Sequence, residues 1–449
     1  MLQNLGDIAG SYPIIRAGGT TQNRATYLPN QTEALIARFS TPGADQPASL
    51  TVGPAWFESF QQFPDGTRYI YGLNFHDGEE GKAQTVLQAG AAYRGIGKAL
   101  YGFEIGNEVN DQWTEFADAI GKDALGEDDA ELQPLFQGCA FTAPRDIDPG
   151  NTSVWNIESV LRLGMPRSGR LKTVADHDYM GANCEGTTKI PTIKGNILDH
   201  HHMTSLMWYH EYLGNFSVSQ GVPYVLGETN SISCQGKPFV SDVFAAALWA
   251  VDYVLYVATL QVSRLYFHMG SAYRYAPWQP ITINGTEPFA KPLYYGNLFT
   301  ASAISGGNKQ VQMLLNETYL TAYAVFDAGS NGSTAASNQE TTATQPKLTS
   351  LALLNLNVYN STFTTPRPYI NFDFTLPAVN SSAGSSNAQV HRLTAPGVEI
   401  AANVTFAGQY VDNKSGVITG EKIVEDVEDL GDGKARVRVG DGEALLITF

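Results

Sequence analysis

The chain has 449 residues and a formal net charge of −16; 43% of its residues are hydrophobic and only 16% are charged. A chain of this length and composition folds around more than one core, which excludes an intrinsically disordered protein. The acidic balance without a basic patch argues against nucleic acid as a partner, and no apolar run reaches the roughly 18 residues that span a membrane.

Short apolar runs alternate with amphipathic segments in the first part of the chain. The runs predicted as strands are YPIIRAGGT (12–20), RYIYGLNFHD (68–77), ALYGFEIGNEVN (99–110), PLFQGCAFTAP (134–144), LKTVADHDYM (171–180), VPYVLGETN (222–230) and SRLYFHMG (263–270). The segments predicted as helices are TEALIARFS (32–40), GKAQTVLQAGAAYRGIG (81–97), WTEFADAIGKDAL (113–125), VWNIESVLRLG (154–164) and FAAALWAVDYVLYVATLQ (244–261). This alternation predicts a parallel sheet with crossover helices.

Seven predicted strands without a nucleotide-binding glycine motif favour an α/β fold, a (β/α)₈ TIM barrel whose first strand is missing from this chain. The apolar runs end on polar or aromatic residues, and in such barrels these ends converge on the face that holds the site. The residues concerned are Arg16, Thr20, Asn74, His76, Asn107, Glu108, Asp178, Tyr179, Glu228 and His268.

The pattern changes to strict alternation after about residue 295. The alternating runs are 319–329, 348–360, 369–377, 390–400, 403–411 and 435–449, and turn residues separate them. This pattern predicts a C-terminal antiparallel β-sandwich domain. We therefore predict a catalytic barrel over residues 1–293 and a sandwich over residues 294–449, with the low-complexity stretch 329–346 as an exposed loop.

Two carboxylates end predicted strands, Glu108 in GNE and Glu228 in LGET. They lie three strand repeats apart, which places them across the mouth of an eight-stranded ring. Glycoside hydrolysis needs such a facing pair, one carboxyl protonated and one ionised. A structural carboxylate that caps a helix or pairs with Arg is the alternative for each residue alone. A retaining pair would place the two carboxyl groups roughly 5 to 5.5 Å apart.

The motifs around these two residues resemble a known family. EIGNE and LGET resemble the strand ends that hold both catalytic Glu in retaining glycosidases, and RAGGTTQ, HDYM, YAPWQP and LYYGNLF together with the sandwich resemble glycoside hydrolase family 79. That family contains β-glucuronidases and heparanases. The resemblance implies that Glu108 is the general acid/base and Glu228 the nucleophile, and that no metal or cofactor takes part.

The resemblance also implies sugar contacts. Asn107 would bind the 2-hydroxyl, Tyr179 would donate a hydrogen bond to Glu228, and Asn74 and Thr20 would reach the sugar from neighbouring strands. For the glucuronate carboxylate we expect backbone N–H groups of the loop NSISCQG (230–236) and a tyrosine hydroxyl, with Tyr294 as the candidate and Arg274 as its rival. Trp278 is a candidate for stacking on a sugar face, and a role in the core is the alternative.

The function predicted on this basis is a retaining exo-β-glucuronidase that releases terminal glucuronic acid, including its 4-O-methyl form, from a glycan or glycoside. The alternatives are a catalytically impaired glycan-binding remnant, suggested by the missing strand, and a heparanase-like endo-enzyme, which the net charge of −16 disfavours. We expect a monomer or weak oligomer that acts without a nucleic acid or membrane partner.

The remaining polar features are interpreted as structural or processing signals. Cys139, Cys184 and Cys234 allow at most one internal disulfide, and a bridge Cys184–Cys234 is one option among several. The run His200–His202 is not expected to bind a metal, because three successive side chains cannot all face one ion. The N-terminal segment does not have the pattern of a signal peptide. N-x-[ST] sequons nevertheless favour a secreted glycoprotein; they begin at Asn30, Asn151, Asn215, Asn284, Asn316, Asn331, Asn360, Asn380, Asn403 and Asn413.

Overall fold

The computed structural model describes residues 1–41, 46–75, 78–107, 113–126, 135–142, 156–328, 346–377 and 388–449. Up to residue 303 it contains, in chain order, α1 (Leu2–Ala9), β1 (Ile14–Ala17), β2 (Ala25–Tyr27), β3 (Leu35–Arg38), β4 (Ser49–Val52), α2 (Ala55–Glu58), β5 (Arg68–Leu73), α3 (Gly78–Ile96), β6 (Leu100–Ile105), α4 (Trp113–Ala119), β7 (Phe136–Thr142), α5 (Ile157–Leu163), β8 (Leu171–Tyr179), α6 (His200–Ser205), α7 (Trp208–Ser219), β9 (Tyr224–Asn230), α8 (Phe244–Val257), β10 (Val262–Phe267), β11 (Trp278–Gln279), β12 (Phe289–Ala290) and α9 (Pro292–Ala303).

The predicted barrel is confirmed. One parallel sheet joins seven strands in the order β1-β5-β6-β7-β8-β9-β10, and each of the seven predicted runs contributes one of them. Within the described residues β1 and β10 are the two edge strands of this sheet, and the barrel is nearly closed. The carboxyl ends of all seven strands point to the same face.

Helices pack on the outer surface of the sheet and hold it in place. In α8 almost every residue is buried, including Trp249 and Tyr253, because this helix lies between the barrel and α9. The helical predictions for 81–97, 113–125 and 244–261 agree with α3, α4 and α8, and α5 lies within 154–164. No helix in the described ranges is both long and apolar enough to cross a bilayer.

The helix predicted for residues 32–40 is wrong. Residues 35–38 form β3, which pairs antiparallel with β4 in a small sheet of order β2-β4-β3 beside the barrel. Leu35 and Ile36 are exposed there and do not form the buried stripe of an amphipathic helix. A window of nine residues is too short for apolar spacing to separate the two structures.

Antiparallel strands follow α9, as predicted. They are β13 (Lys309–Glu317), β14 (Leu320–Asp327), β15 (Lys347–Asn355), β16 (Tyr369–Thr375), β17 (Gln389–Thr394), β18 (Thr405–Phe406), β19 (Tyr410–Val411), β20 (Ile418–Thr419), β21 (Glu425–Asp426), β22 (Glu428–Gly431), β23 (Lys434–Gly440) and β24 (Glu443–Thr448). The larger sheet has the order β13-β14-β15-β24-β17-β18, and β16-β23-β22 packs against it around Leu351, Leu353, Val437 and Leu445. The stretch 329–346 lies, except for Pro346, outside the described residues.

The His-rich run, His200–His202, lies at the interface between the barrel and the antiparallel sheets. His200 Nδ1 lies 2.8 Å from Asp252 Oδ2 on α8, and the Tyr323 hydroxyl on β14 donates to Asp252 Oδ1 at 2.6 Å. His200 therefore joins a helix of the barrel to a strand of the sandwich, and no His, Cys, Asp and Glu group suited to a metal occurs in the described part of the chain. The predicted boundary between 293 and 294 falls inside α9, which packs on α1 and α8, and the exact division stays a prediction.

Candidate active site

Glu228 lies at the carboxyl end of β9 and is almost fully buried. Its Oε1 accepts a hydrogen bond from the Tyr179 hydroxyl at 2.7 Å, and its Oε2 accepts one from Arg16 Nη1 at 2.9 Å. Burial alone would raise the pKa of this carboxyl, but His268, His177 and Arg16 together with the Tyr179 hydrogen bond outweigh it and lower the pKa to about 2. Glu228 is therefore ionised at neutral pH and aimed by two donors.

Arg16 on β1 connects Glu228 to the next carboxylate in the barrel. Its guanidinium forms a salt bridge to Glu104 of β6, and its Nη2 donates to Asn107 Oδ1 at 2.7 Å. Burial would lower the pKa of Arg16, but the two carboxylates raise it, so the side chain stays charged. One buried guanidinium thus neutralises two acids and fixes an amide.

Glu104 extends this network across the barrel interior. Gln137 Nε2 on β7 donates to Glu104 Oε2 at 2.6 Å, and the Thr173 hydroxyl on β8 lies 3.3 Å from Gln137 Oε1. Every group in this row has a partner, which a buried polar network requires if it is to stabilise a single arrangement. This row of side chains holds Glu104, which binds Arg16, and Arg16 in turn binds Glu228.

Asn107 lies two residues after the end of β6 and is held from two sides. Its main-chain N–H donates to Asn23 Oδ1 at 2.9 Å, and Asn23 Nδ2 donates back to its carbonyl at 2.9 Å. Because Arg16 can only donate, it fixes the side-chain oxygen of Asn107 toward itself and leaves Nδ2 for another acceptor. Glu108, the next residue, lies outside the described residues, as does His76, so the predicted carboxyl separation stays a prediction.

His268, just beyond β10, joins the hydroxyl groups around Glu228. Its Nδ1 lies 3.1 Å from the Tyr179 hydroxyl, 3.0 Å from the Tyr275 hydroxyl and 3.3 Å from Glu228 Oε1. Burial raises the pKa of Tyr179 and of Tyr275, and the charge of Glu228 raises both further, so these hydroxyls remain proton donors.

The loop after β9 runs beside the loop after β8. Ser233 N–H donates to Gly181 O at 2.9 Å, and a disulfide joins Cys184 to Cys234 with 5.3 Å between the Cα atoms. The bridge is thus the Cys184–Cys234 option, and Cys139 is a buried thiol. Cys234 of the bridge and the next residue, Gln235, adopt left-handed backbone conformations with φ of 60° and 69°, which non-glycine residues adopt rarely.

Two of the residues predicted to contact the sugar lie elsewhere. Asn74 is fully buried: its Nδ2 donates to Ala25 O at 2.7 Å, and its Oδ1 accepts from the Thr85 hydroxyl. Tyr294 is also fully buried, and its hydroxyl donates to Met1 O at 2.8 Å. Both predictions are corrected: these side chains are committed to structural partners and present no surface to a sugar.

The other predicted contacts, Thr20, Arg274 and Trp278, lie in three different environments. Thr20 is exposed and follows Gly19. A Cβ atom placed on Gly19 would lie 3.8 Å from His268 Nε2, so this turn lies on the rim of the site. Arg274 donates through Nη1 to Gly236 O at 3.2 Å and supports the disulfide loop. Trp278 packs edge-on against Tyr294, with 5.7 Å between the ring centroids, which is a core contact.

Sequence reasoning did not assign Glu104, Gln137, Asn23 or Tyr275 to the site. The sequence predicts Arg16 and His268 only as polar strand ends. The one available signal was Glu104, a charge within the otherwise apolar run LYGFEI. Such a charge in a buried strand requires a partner, and that partner is Arg16.

Comparisons with known proteins agree with this architecture. Residues 322–446 match the family described as glycosyl hydrolase family 79 C-terminal beta domain. The chain is 30% identical to a beta-glucuronidase of Aspergillus niger, over 91% of this chain and 77% of that protein. It is also 30% identical to a beta-glucuronidase of Neurospora crassa, over 91% of this chain and 79% of that protein.

A solved structure shares the whole fold. It is a 4-O-alpha-L-rhamnosyl-beta-D-glucuronidase from Fusarium oxysporum in a Rha-GlcA complex, with a TM-score of 0.80, 24% sequence identity, and coverage of 100% of this chain and 90% of that one. The similarity extends over the barrel and the antiparallel strands together.

Proposed function

Because the chain belongs to glycoside hydrolase family 79 and is a glycosidase, we propose that it is a retaining exo-β-glucuronidase that releases terminal glucuronic acid, with or without a 4-O-methyl group. The observation that carries this proposal is Glu228, a carboxylate with a pKa lowered to about 2 at the end of a barrel strand. The two β-glucuronidase relatives support the glucuronide substrate class.

Glu228 acts as the nucleophile in this proposal. Its ionised oxygen attacks the anomeric carbon and displaces the aglycone, while Glu108 gives a proton to the leaving oxygen. A water molecule, deprotonated by Glu108, then cleaves the glycosyl ester and returns Glu228 to its charged form. Arg16 and Tyr179 stabilise the Glu228 carboxylate before it attacks and after it is released. While the glycosyl ester exists, the same two residues position it.

Asn107 is proposed to bind the 2-hydroxyl group of the sugar. Its Nδ2 has no partner among the described residues, while its Oδ1 is occupied by Arg16 at 2.7 Å. The amide is therefore oriented as a donor before substrate arrives. A hydrogen bond to the 2-hydroxyl strengthens in the oxocarbenium-like transition state, so this contact contributes to rate and not only to binding.

The disulfide loop is proposed to recognise the sugar carboxylate. The main-chain N–H of Gln235 lies near the Tyr275 hydroxyl and lowers its pKa, against the larger effect of burial, which raises it. The same hydroxyl lies 3.0 Å from His268 Nδ1. Backbone N–H groups and a tyrosine hydroxyl suit a carboxylate in a protein of net charge −16. In this arrangement Tyr275 takes the role that the sequence analysis gave to Tyr294.

Chemical rescue tests the two catalytic roles separately. With an aryl β-glucuronide of a good leaving group, Glu228→Ala and Glu108→Ala should each lose activity by about 10⁴-fold or more. Azide should restore turnover in both variants, and the product should be the α-glucuronyl azide from Glu228→Ala and the β-azide from Glu108→Ala. Glu421→Ala, which removes an exposed carboxylate of the sandwich, is the matched control. Near-normal activity of Glu228→Ala, or the same azide anomer from both variants, would refute the assignment.

A glycan-binding protein with little turnover is the second candidate. Arg16 belongs to β1, which pairs only with β5 in the described sheet, so the group that aims Glu228 lies on an edge strand. Calorimetry with glucuronic acid and a turnover assay distinguish the two candidates. Saturable binding without turnover by the unmodified chain would favour the second, and cleavage of heparan sulfate would favour an endo-enzyme instead.

We also infer that the protein is secreted and glycosylated. A disulfide persists in an oxidising compartment. The acceptors Asn30, Asn215, Asn284, Asn316, Asn403 and Asn413 are exposed in the structure. Mass spectrometry of protein from its natural source should find glycans on some of these sites, and a set of entirely bare sequons would contradict the inference.

A further inference from the structure

Three cations surround one tyrosine ring at the end of the barrel opposite Glu228. Arg68 begins β5, Tyr101 is the second residue of β6, Lys172 the second of β8 and Arg264 the third of β10. The Arg68 Cζ, Lys172 Nζ and Arg264 Cζ atoms lie 4.6, 4.0 and 5.0 Å from the centroid of the Tyr101 ring. Four strands that are remote in sequence thus bring three positive charges to one place.

No carboxylate of the described residues forms an ion pair with Arg68, Lys172 or Arg264, although the chain has 44 acidic residues against 28 basic ones. Lys172 donates one hydrogen bond, to Tyr101 O at 2.7 Å, and Arg264 Nη1 donates to the Tyr101 hydroxyl at 3.2 Å. An ammonium has three donors and a guanidinium five, so most of their donors remain available. The cluster is therefore rich in charge and in hydrogen-bond donors.

The charges also repel one another. Burial lowers the pKa of Lys172, and the positive charges of Arg68 and Arg264 lower it further while Tyr101 opposes them. An exposed lysine would turn away into water, but this one stays over the ring. Arg68 is exposed, so a ligand from solvent can reach the cluster.

An apolar layer separates this cluster from the catalytic end. Ile70, Ala175, Val225 and Tyr266 are buried together in the barrel interior, and Tyr101 packs against them. A ligand at the cluster therefore cannot contact Glu228, so any site here is distinct from the one described above.

We propose that Arg68, Lys172 and Arg264 form a binding site for a doubly charged tetrahedral oxyanion, sulfate or phosphate, either free or as an ester group on a glycan. Guanidinium groups match such oxyanions through paired hydrogen bonds, and the ammonium adds a point charge. A dianion offsets more of the cluster's charge than a single carboxylate does. The Tyr101 ring holds the three cations in place through its negative faces.

Calorimetry and thermal unfolding with sodium sulfate test this site at constant ionic strength, with sodium chloride as the reference salt. Sulfate also stabilises proteins generally by exclusion from their surfaces, so a matched variant is required. Lys98→Gln removes one exposed charge near the same end of the barrel and serves as that control. A sulfated disaccharide and its unsulfated form, used as further probes, separate a free ion from a glycan ester.

Saturable sulfate binding is expected in the unmodified chain and in Lys98→Gln. Arg264→Gln and Lys172→Gln should each weaken it by about tenfold or more, because each removes a charge-assisted hydrogen bond. Arg68→Gln should also weaken sulfate binding, and because Arg68 is exposed this substitution does not put folding at risk. A sulfate effect no larger than that of chloride, or one that persists unchanged in Arg68→Gln and Arg264→Gln, would overturn the proposal.

Discussion

Arg16 contacts three groups of the site through one guanidinium: Glu104, Glu228 and Asn107. The strand-end rule predicted that polar groups would meet at this face, and Glu228 and Tyr179 do meet there at 2.7 Å. The rule could not tell which side of the sheet a side chain takes. Asn74 is also a strand end, yet its side chain accepts a hydrogen bond from Thr85 on α3 and does not face the site.

Removal of the Arg16 charge should raise the pKa of Glu228. In the proposed mechanism Glu228 must be ionised to attack, so the acid limb of the pH profile of kcat/KM should move to higher pH in Arg16→Met, by about 1 to 3 pH units. Arg16→Lys keeps the charge but loses the forked geometry, so it should lower kcat with a smaller movement of the limb. Arg436→Met, at an exposed pair in the sandwich, is the control. An acid limb that stays in place in Arg16→Met would contradict the electrostatic role.

Secondary-structure elements were predicted well where the apolar pattern was long. All seven barrel strands and the helices α3, α4 and α8 correspond to predicted segments. The error at β3 arose in a nine-residue window, and the short sheet of β2, β3 and β4 had no predicted counterpart. Helix α7 was missed as well, because its polar residues Glu211 and Asn215 interrupt an aromatic run without a clear stripe.

The loops after β8 and β9 depend on the Cys184–Cys234 bridge. Replacement of both cysteines by serine should lower the free energy of unfolding by up to about 4 kcal/mol, since the bridge closes a loop with a sequence separation of 50 residues. It should also raise KM for glucuronides, because Gln235 is no longer held beside Tyr275. Denaturant unfolding and steady-state kinetics measure the two effects.

Cys139→Ala is the matched control for that experiment, because it changes a buried free thiol and leaves the bridge in place. Equal KM increases in Cys139→Ala and in the double serine variant would show that the bridge has no specific effect on the site.

The whole molecule combines acidic composition with buried ion pairs. In the sandwich, Arg367 Nη1 and Arg392 Nη1 contact the two oxygens of Glu443 at 2.7 and 2.6 Å. Burial would raise the pKa of Glu443, but Arg392, the Thr394 hydroxyl and Arg367 outweigh it and lower the pKa. A lowered folded-state pKa stabilises the protein above the unfolded pKa of about 4.3, and this contribution disappears as pH falls through the folded pKa.

Glu443→Gln should therefore reduce the free energy of unfolding most near pH 6 and progressively less below about pH 4. Denaturant titrations at a series of pH values give the difference between variant and wild type. Glu421→Gln, at an exposed carboxylate of the same domain, should show little difference at any pH. A Glu443→Gln deficit that grows as the pH falls would reverse the assigned sign.

In the proposed mechanism Glu228 becomes covalently bonded to the sugar. This bond can be trapped with a 2-deoxy-2-fluoro-β-glucuronyl fluoride, which forms the glycosyl ester but hydrolyses it slowly, and located by peptide mass spectrometry. We predict one added fluoroglucuronyl group per chain, on the peptide that contains Glu228. A chain that hydrolyses aryl β-glucuronides yet carries no label, or carries it on another carboxylate, would rule out Glu228 as the nucleophile.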